Sequence, residues 1–448
     1  MSTGGNAARY SAWPEDLLEP VRTLPEHNVL RVAFSGGLDS SLLLHIAAAC
    51  HPNVTAVHIN HQLQPNHQQT EQVCRDICAR LSVPMVVERV EVPVGSVGAG
   101  GLEEAARSAR YEVFRRLQGP EDLLLMAHHG DDQVETVLFR LLRGSGVNGL
   151  AGMPRTRPLG QGQLLRPWLA VSRERLEQVA AKMQLCWEED PSNRSQTYDR
   201  NYLRHGVLPG LKARWPGLLR RVAHSARACS ESEQLNRRLA ELQWQQCREG
   251  EDRLKLEGFR ALGRLEQRNL LRWWIHRQGW PLPSLSSWDQ VLSELLDAAG
   301  DRAPQIRGDG YSVRRYQGHL YLVPDMDVPR QSQLLSPEQP LRWGPWQLTL
   351  TEARPGLTPN SPPPPIRVST RRGGERVRPE PARPSRALKT WLQEQGVPPW
   401  ERAALPLVSE LSGGSDVLVA IGDLWCSGQY SGSAPAAGWR LIVERDCD

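Results

Sequence analysis

No run of eighteen apolar residues occurs anywhere in the 448-residue chain, so a membrane-spanning helix is not expected. The opening stretch, MSTGGNAARYSAWPEDLLEP, lacks the apolar centre of a secretory signal and reads as a short disordered lead into a first helix. The eight cysteines are scattered without regular spacing. That excludes a disulfide framework and points to reduced thiols in a cytosolic protein. Cys74 and Cys78 form a CxxxC, but four apart on a helical pattern they should pack as small apolar groups. Nothing has zinc-ligand spacing, no internal repeat is visible, and GxxxxGK[ST] is missing, which excludes the Walker type of phosphate loop.

The chain does have length enough for two to four domains, with 40% hydrophobic residues among interspersed charges. Net charge is only +4, but it is unevenly spread. Residues 151–230 carry fourteen Lys/Arg against six Asp/Glu, and residues 366–389 eight against two. Two basic blocks suggest a polyanionic partner, although a solvated basic face gives the same composition.

The organising stretch is 29–46, VLRVAFSGGLDSSLLLHI. Val29 to Phe34 reads as a buried strand, Ser35-Gly36-Gly37 as a turn, and Leu42 to Ile46 as part of a helix. Strand, glycine turn and helix N-terminus present backbone N–H groups to an anion, with the helix dipole assisting. Asp39, Ser40 and Ser41 can cap the helix or offer oxygens to phosphate or Mg²⁺.

Further strands are expected at 54–61, from Met85 to Val92, and from Leu123 to Ala127, with helices between them and a loop at 93–101 before the third helix. Such alternation implies βαβ units in a doubly wound parallel α/β sheet, whose ligands bind beyond the C-terminal strand ends. Ser35–Ser40, His58–His61 and His128–Asp132 all follow strand ends and therefore share one edge. Residues 1–215 are read as this domain, 216–330 as a helical middle domain, 331–365 as a Pro-rich strap, and 366–448 as a small mixed α+β domain. A short hairpin is expected at 306–323, and the tryptophans of 216–300 are expected in a core.

SGGLDSS at 35–41 resembles the PP-loop of ATP pyrophosphatases. HINHQL (58–63), EEAARSARY (103–111), AHHGDDQVETVLFRLLRGSGVNGLAGM (127–153), LLRP (164–167) and EDPSNRSQTYDRNYLRHGVLP (189–209) resemble the bacterial tRNA(Ile)-lysidine synthetase family of PP-loop enzymes. In the tail, RRGGERVRP (371–379) and LKTWLQEQGVPPWER (388–402) resemble the same family, although PEPARPSRA departs from its usual Gly/Lys turn.

The resemblance implies an ATP-dependent cytoplasmic bacterial ligase that joins free L-lysine to carbon 2 of the wobble cytidine in tRNA(Ile) with a CAU anticodon. An adenylated cytidine is the intermediate, and AMP and pyrophosphate leave. It implies ATP contacts from Ser35, Gly36, Gly37, Leu38, Asp39, Ser40, His58 and Asn60. Mg²⁺ would sit on Asp39 and on Asp131 or Asp132. Arg110 or Arg107 would meet the α-phosphate, and Asp132 or His128 would take the proton from lysine. tRNA would be met by Arg143, Arg194, Arg200, Arg204, Arg371, Arg372 and Arg376, and a homodimer is allowed for. Asp131 could equally be a helix cap, and His45, His61 and His129 are read as structural. A tRNA-thiolating PP-loop enzyme would usually carry paired cysteines, and a non-catalytic RNA-binding protein would need only the basic blocks.

Overall fold

A computed structural model describes residues 13–63, 66–91, 101–188, 199–283, 287–297, 304–353, 365–380, 384–412, 415–431 and 438–445. The expected N-terminal lead, the 93–100 loop, the DPSN segment with Arg194 and the run of prolines lie outside these residues. The chain divides into two compact units, Met1–Arg237 and Arg238–Asp448.

The first unit begins with α1 (Glu15–Arg22), β1 (Leu30–Ala33), α2 (Leu38–Cys50), β2 (Val54–Asn60), α3 (His67–Leu81) and β3 (Met85–Arg89). It continues with α4 (Gly101–Leu117), β4 (Leu123–Leu125), α5 (Gly130–Leu142), β5 (Thr156–Leu159), β6 (Gly162–Leu165) and α6 (Arg173–Lys182). The sheet order is β3-β2-β1-β4-β6-β5. Strands β1, β2, β3, β4 and β6 run parallel, and β5 turns back against β6 as an antiparallel edge.

Strand residues alternate between two cores, as a sheet covered on both faces requires. Leu123 and Leu125 join one core with Leu30, Val32, Leu42, Leu43, Ile77 and Trp168. Leu124 joins the other with Val57, Tyr111 and Phe114. Cys74 and Cys78 are buried in the first core, as small apolar groups. Because β1 pairs with β2 on one side and β4 on the other, the chain leaves its C-terminal end in opposite directions. That switch opens a crevice for a ligand.

The second unit holds two cores. One packs Trp244, Trp274, Phe259 and Leu292 against a five-stranded antiparallel sheet. In that sheet Tyr311–Tyr316 and His319–Pro324 form the expected hairpin. Its two-residue loop, Gln317-Gly318, has φ of 43° and 77°, the left-handed pair that a tight hairpin demands. The other core joins Trp343, Trp346, Leu348 and Leu350 to Val368, Leu392, Val408 and Ile421. The strap reading therefore fails over 333–352. Strands Gln333–Leu335, Leu341–Trp343 and Trp346–Glu352 lie there, and the last pairs with Trp439–Arg445.

Candidate functional site

The loop after β1 is shaped by its own side chains. Ser40 Oγ donates to Gly37 O at 3.0 Å, accepts from the Ser35 N–H at 3.2 Å and lies 3.0 Å from Ser35 Oγ. Gly36 has φ of +85°, and a Cβ there would stand 2.8 Å from Cys74 Sγ, so a side chain is barred twice. The Glu188 N–H donates to Gly36 O at 2.9 Å and brings Trp187 and Glu188 beside the loop. Gly37 caps α2 with no side-chain hydrogen bond. The first-turn N–H groups of α2 are thus presented to an anion.

Around this loop lies a cavity of about 530 Å³. Ser35, Gly37, Leu38, Asp39, Ser40, His58, Asn60, Arg110, His128 and Asp132 all line it. Gly36 does not; it supports the loop from beneath. Asn60 is held by structure on both ends of its amide. Its Nδ2 donates to buried Glu71 at 3.0 Å, and its Oδ1 accepts from the Gln62 N–H at 2.9 Å. Glu71 also binds Arg75 at 2.8 Å and Arg89 at 3.1 Å. The Arg75 hydrogen bond, followed by that of Asn60, depresses its pKa to about 2.

The electrostatics separate neighbours that look alike in sequence. Asp131 Oδ2 accepts from the Arg173 N–H at 2.9 Å, and its Oδ1 is bound by Lys212. Both oxygens tie α5 to other elements, and Asp131 does not line the cavity. Asp132 does. Its Oδ2 accepts from the His129 N–H at 3.0 Å, closing the first turn of α5, and its Oδ1 takes Arg204 at 2.7 Å. Burial would raise the Asp132 pKa, but His129, His128 and Arg204 outweigh it and hold it below the usual value. Asp39 responds oppositely. Burial, helped by the Asp132 charge, raises its pKa against the pull of His129, Arg173 and Arg204. One Asp39 oxygen is bound by Arg173, while the buried Oδ1 finds no hydrogen-bond partner among the described residues.

His128 cannot be the base that the sequence allows. Its Nδ1 accepts from Arg166 Nε at 3.1 Å. Since a guanidinium stays protonated, the imidazole proton sits on Nε2, and the ring is a donor. Burial, with Arg166, Arg110 and Arg107 nearby, lowers its pKa to about 3 against the pull of Asp132. His61, expected to be structural, instead lines the cavity with a buried Nδ1 that has no hydrogen-bond partner among the described residues. Burial and the Arg110 charge lower its pKa to about 4.

The arginines divide between locations. Arg110 lines this cavity, whereas Arg107 lines a different one. Arg204, expected to meet tRNA, faces the carboxylates instead: Nε binds Glu135 at 2.6 Å and Nη2 binds Asp132. A π turn over Leu203–Val207 carries it there. Burial opposes its charge, yet Glu135 and Asp132 raise its pKa overall. Arg143 and Arg200 stand over the Phe139 ring, 4.0 and 6.0 Å from its centroid. In the second unit, Arg371 lies 3.7 Å from Glu375, and the Arg372 backbone N–H binds Glu375. Arg376 Nε donates to Ser385 Oγ at 3.0 Å. Sequence reasoning missed Arg173, whose partner Asp39 is 134 positions away. The signal that could have found it is Ser172, which caps α6 by accepting the Arg175 N–H at 3.2 Å.

Residues 12–211 match the PP-loop domain family, 254–321 the TilS substrate binding domain and 366–443 the TilS substrate C-terminal domain. The tRNA(Ile)-lysidine synthase of Coxiella burnetii is 35% identical over 96% of this chain and 96% of its own length. That of Pseudomonas aeruginosa is 39% identical over 92% of both. That of Alkalilimnicola ehrlichii is 38% identical over 96% of this chain and 97% of its own.

Proposed function

The chain belongs to the tRNA(Ile)-lysidine synthase family, and on that premise we propose how its first unit makes lysidine from ATP, free L-lysine and tRNA(Ile) with a CAU anticodon. Oxygen 2 of the wobble cytidine attacks the α-phosphorus of ATP, and pyrophosphate leaves. The ε-amine of lysine then attacks carbon 2 and loses a proton, and the oxygen departs with AMP. One observation carries this reading: a phosphate-type loop shares one cavity with Asp39, Asp132 and Arg110.

The α2 N-terminus and the Ser35 and Ser40 hydroxyls hold the pyrophosphate oxygens. Arg110 binds the α-phosphate bidentately as charge grows there. His128, kept a neutral donor by Arg166, contributes Nε2–H. Asn60 and His58 border the adenosine. Asp132 holds the lysine ammonium and receives its proton, since the other candidate base is a donor.

Mg²⁺ is held by few protein carboxylates in phosphate sites, and the residues fit it. The unpartnered Oδ1 of Asp39, a cavity residue, would hold it, and Asp131, which does not line the cavity, would not. When bound, it supplies charge neutralisation on the phosphates. Incubation with total tRNA, ATP and labelled lysine tests the proposal. Label should enter tRNA and resist mild base, which strips aminoacyl esters. Label that mild base removes sinks the reading.

A further inference from the structure

A second cavity, of about 670 Å³, lies in the same unit and is assigned no role above. Arg107, Arg115, Arg140, Arg157 and Arg166 line it, with Glu104 and Glu112 as its carboxylates, so five positive charges meet two negative ones and a surplus of three remains. Glu112 is already taken, by Arg115 at 2.7 Å. The other four arginines make no ion pair among the described residues. Neutral groups orient two of them. Arg140 donates to Gly149 O at 3.0 Å and Gly152 O at 2.8 Å, and Arg166 to Pro154 O at 2.7 Å.

Carbonyl contacts aim a guanidinium without neutralising it. Arg166 is only 2% exposed. Burial, with Arg157 and Arg107 adding to it, lowers its pKa, and burial with Arg107 and Arg200 does the same to Arg140. Like charges gathered in a partly buried place repel one another, and an anion relieves that cost. Tyr111 tells which part of an anionic partner fits. Its ring is 7% exposed and carries Arg107 at 5.1 Å and Arg157 at 4.7 Å from its centroid. It is no open platform for a base, so the cleft favours phosphate oxygens over stacking.

We propose that this arginine cleft binds backbone phosphates of the RNA substrate, and that Arg166 joins it to the ATP cavity through His128. The inference rests on the tRNA reading above. A phosphate taken by the Arg166 fork acts on the same side chain whose Nε fixes the His128 tautomer, so RNA docking and the ATP site share one residue.

The test is tRNA affinity of the full-length protein across a salt series, for wild type, R107Q/R157Q, R107K/R157K and the control R22Q/R80Q. The control removes two exposed charges outside the cleft. Two lost phosphate contacts should cut the log–log salt slope by about 1.4, at roughly 0.7 per contact for single strands, and weaken binding more than about tenfold at low salt. The lysine pair should restore most of the slope, and the control should leave it unchanged. ATP affinity and melting temperature, measured alongside, should stay at wild-type values. If R107Q/R157Q melts early, Arg157→Gln alone carries the comparison at half the slope change. Wild-type slope in the glutamine variants, or an equal loss in the control, overturns the inference. Inorganic phosphate that binds wild type more tightly than R107Q/R157Q, with the tRNA salt slope the same in both, would assign the cleft to a free anion and overturn it too. Wild type that neither binds tRNA nor loads lysine overturns the substrate reading itself, and that failure is recognisable without any variant.

Discussion

Two cavities of one domain solve opposite electrostatic problems. In the cavity at the β1 switch both aspartates have a cation: Asp39 has Arg173, and Asp132 has Arg204. In the arginine cleft, four guanidiniums have no carboxylate among the described residues. The first arrangement is stable before substrate arrives and holds its charges in fixed places, which suits chemistry on a phosphate anhydride. The second is complete only with a polyanion. The lesson is that a basic composition does not by itself mark a nucleic-acid surface. Arg204 sits in a basic block yet faces inward to two acids, and Arg107 sits in the catalytic domain with no ion pair among the described residues.

The sharpest way to break this comparison is Asp132→Asn. It removes a charge from the cavity without removing its helix-capping acceptor. Lysidine formation should fall at least about a hundredfold, with tRNA affinity and melting temperature near wild type. Activity within about threefold of wild type would reduce Asp132 to a cap.

Arg204→Gln comes next. It leaves Glu135 and Asp132 without their cation, and Glu135 is 4% exposed. Stability should drop by about 2 kcal/mol, short of a fully buried pair because Arg204 itself is partly exposed. Urea unfolding measures it. If Arg204 were a surface tRNA contact instead, stability would not change and only RNA affinity would suffer.

Asp131→Asn sharpens the contrast between neighbours. It should cost about 1 kcal/mol through weakened links to Lys212 and the Arg173 N–H, while activity stays within about fivefold of wild type. A loss as deep as that of Asp132→Asn would return Asp131 to the chemistry.

The smallest effect concerns Glu71, whose folded pKa of about 2 lies below the ordinary glutamate value. A depressed carboxylate contributes stability above its unfolded pKa and loses it as pH falls through the folded one. Between about pH 4.5 and 2 the wild type should therefore lose stability faster than Glu71→Gln, and the two curves should converge. Parallel curves through that window would show that Glu71 is not held in this way.

Much of this was legible in the chain because it is local. Strand, loop and helix around Ser35–Ser40 follow from apolar runs and two glycines, and the strand ends at His58 and His128 bring their side chains to the same edge. What was not legible depends on distance or facing. Nothing in sequence links Arg173 to Asp39. Asp131 and Asp132 are chemically identical neighbours, separated only by the turn of α5. Arg204 looks like any arginine of a basic block until the π turn aims it. At 341–352 the alternation of Trp346, Leu348 and Leu350 did signal a strand, but flanking prolines masked it.

The central claim is that the phosphate loop supports attack by RNA on the α-phosphorus of ATP, and one experiment addresses it directly. Wild-type protein is incubated with ATP labelled at the α-phosphate and tRNA(Ile) bearing a CAU anticodon, without lysine, and the RNA is then isolated. The account predicts label on the tRNA with pyrophosphate released, and release of that label as AMP once lysine is added. Unlabelled tRNA, with ADP and inorganic phosphate as the products, would contradict it.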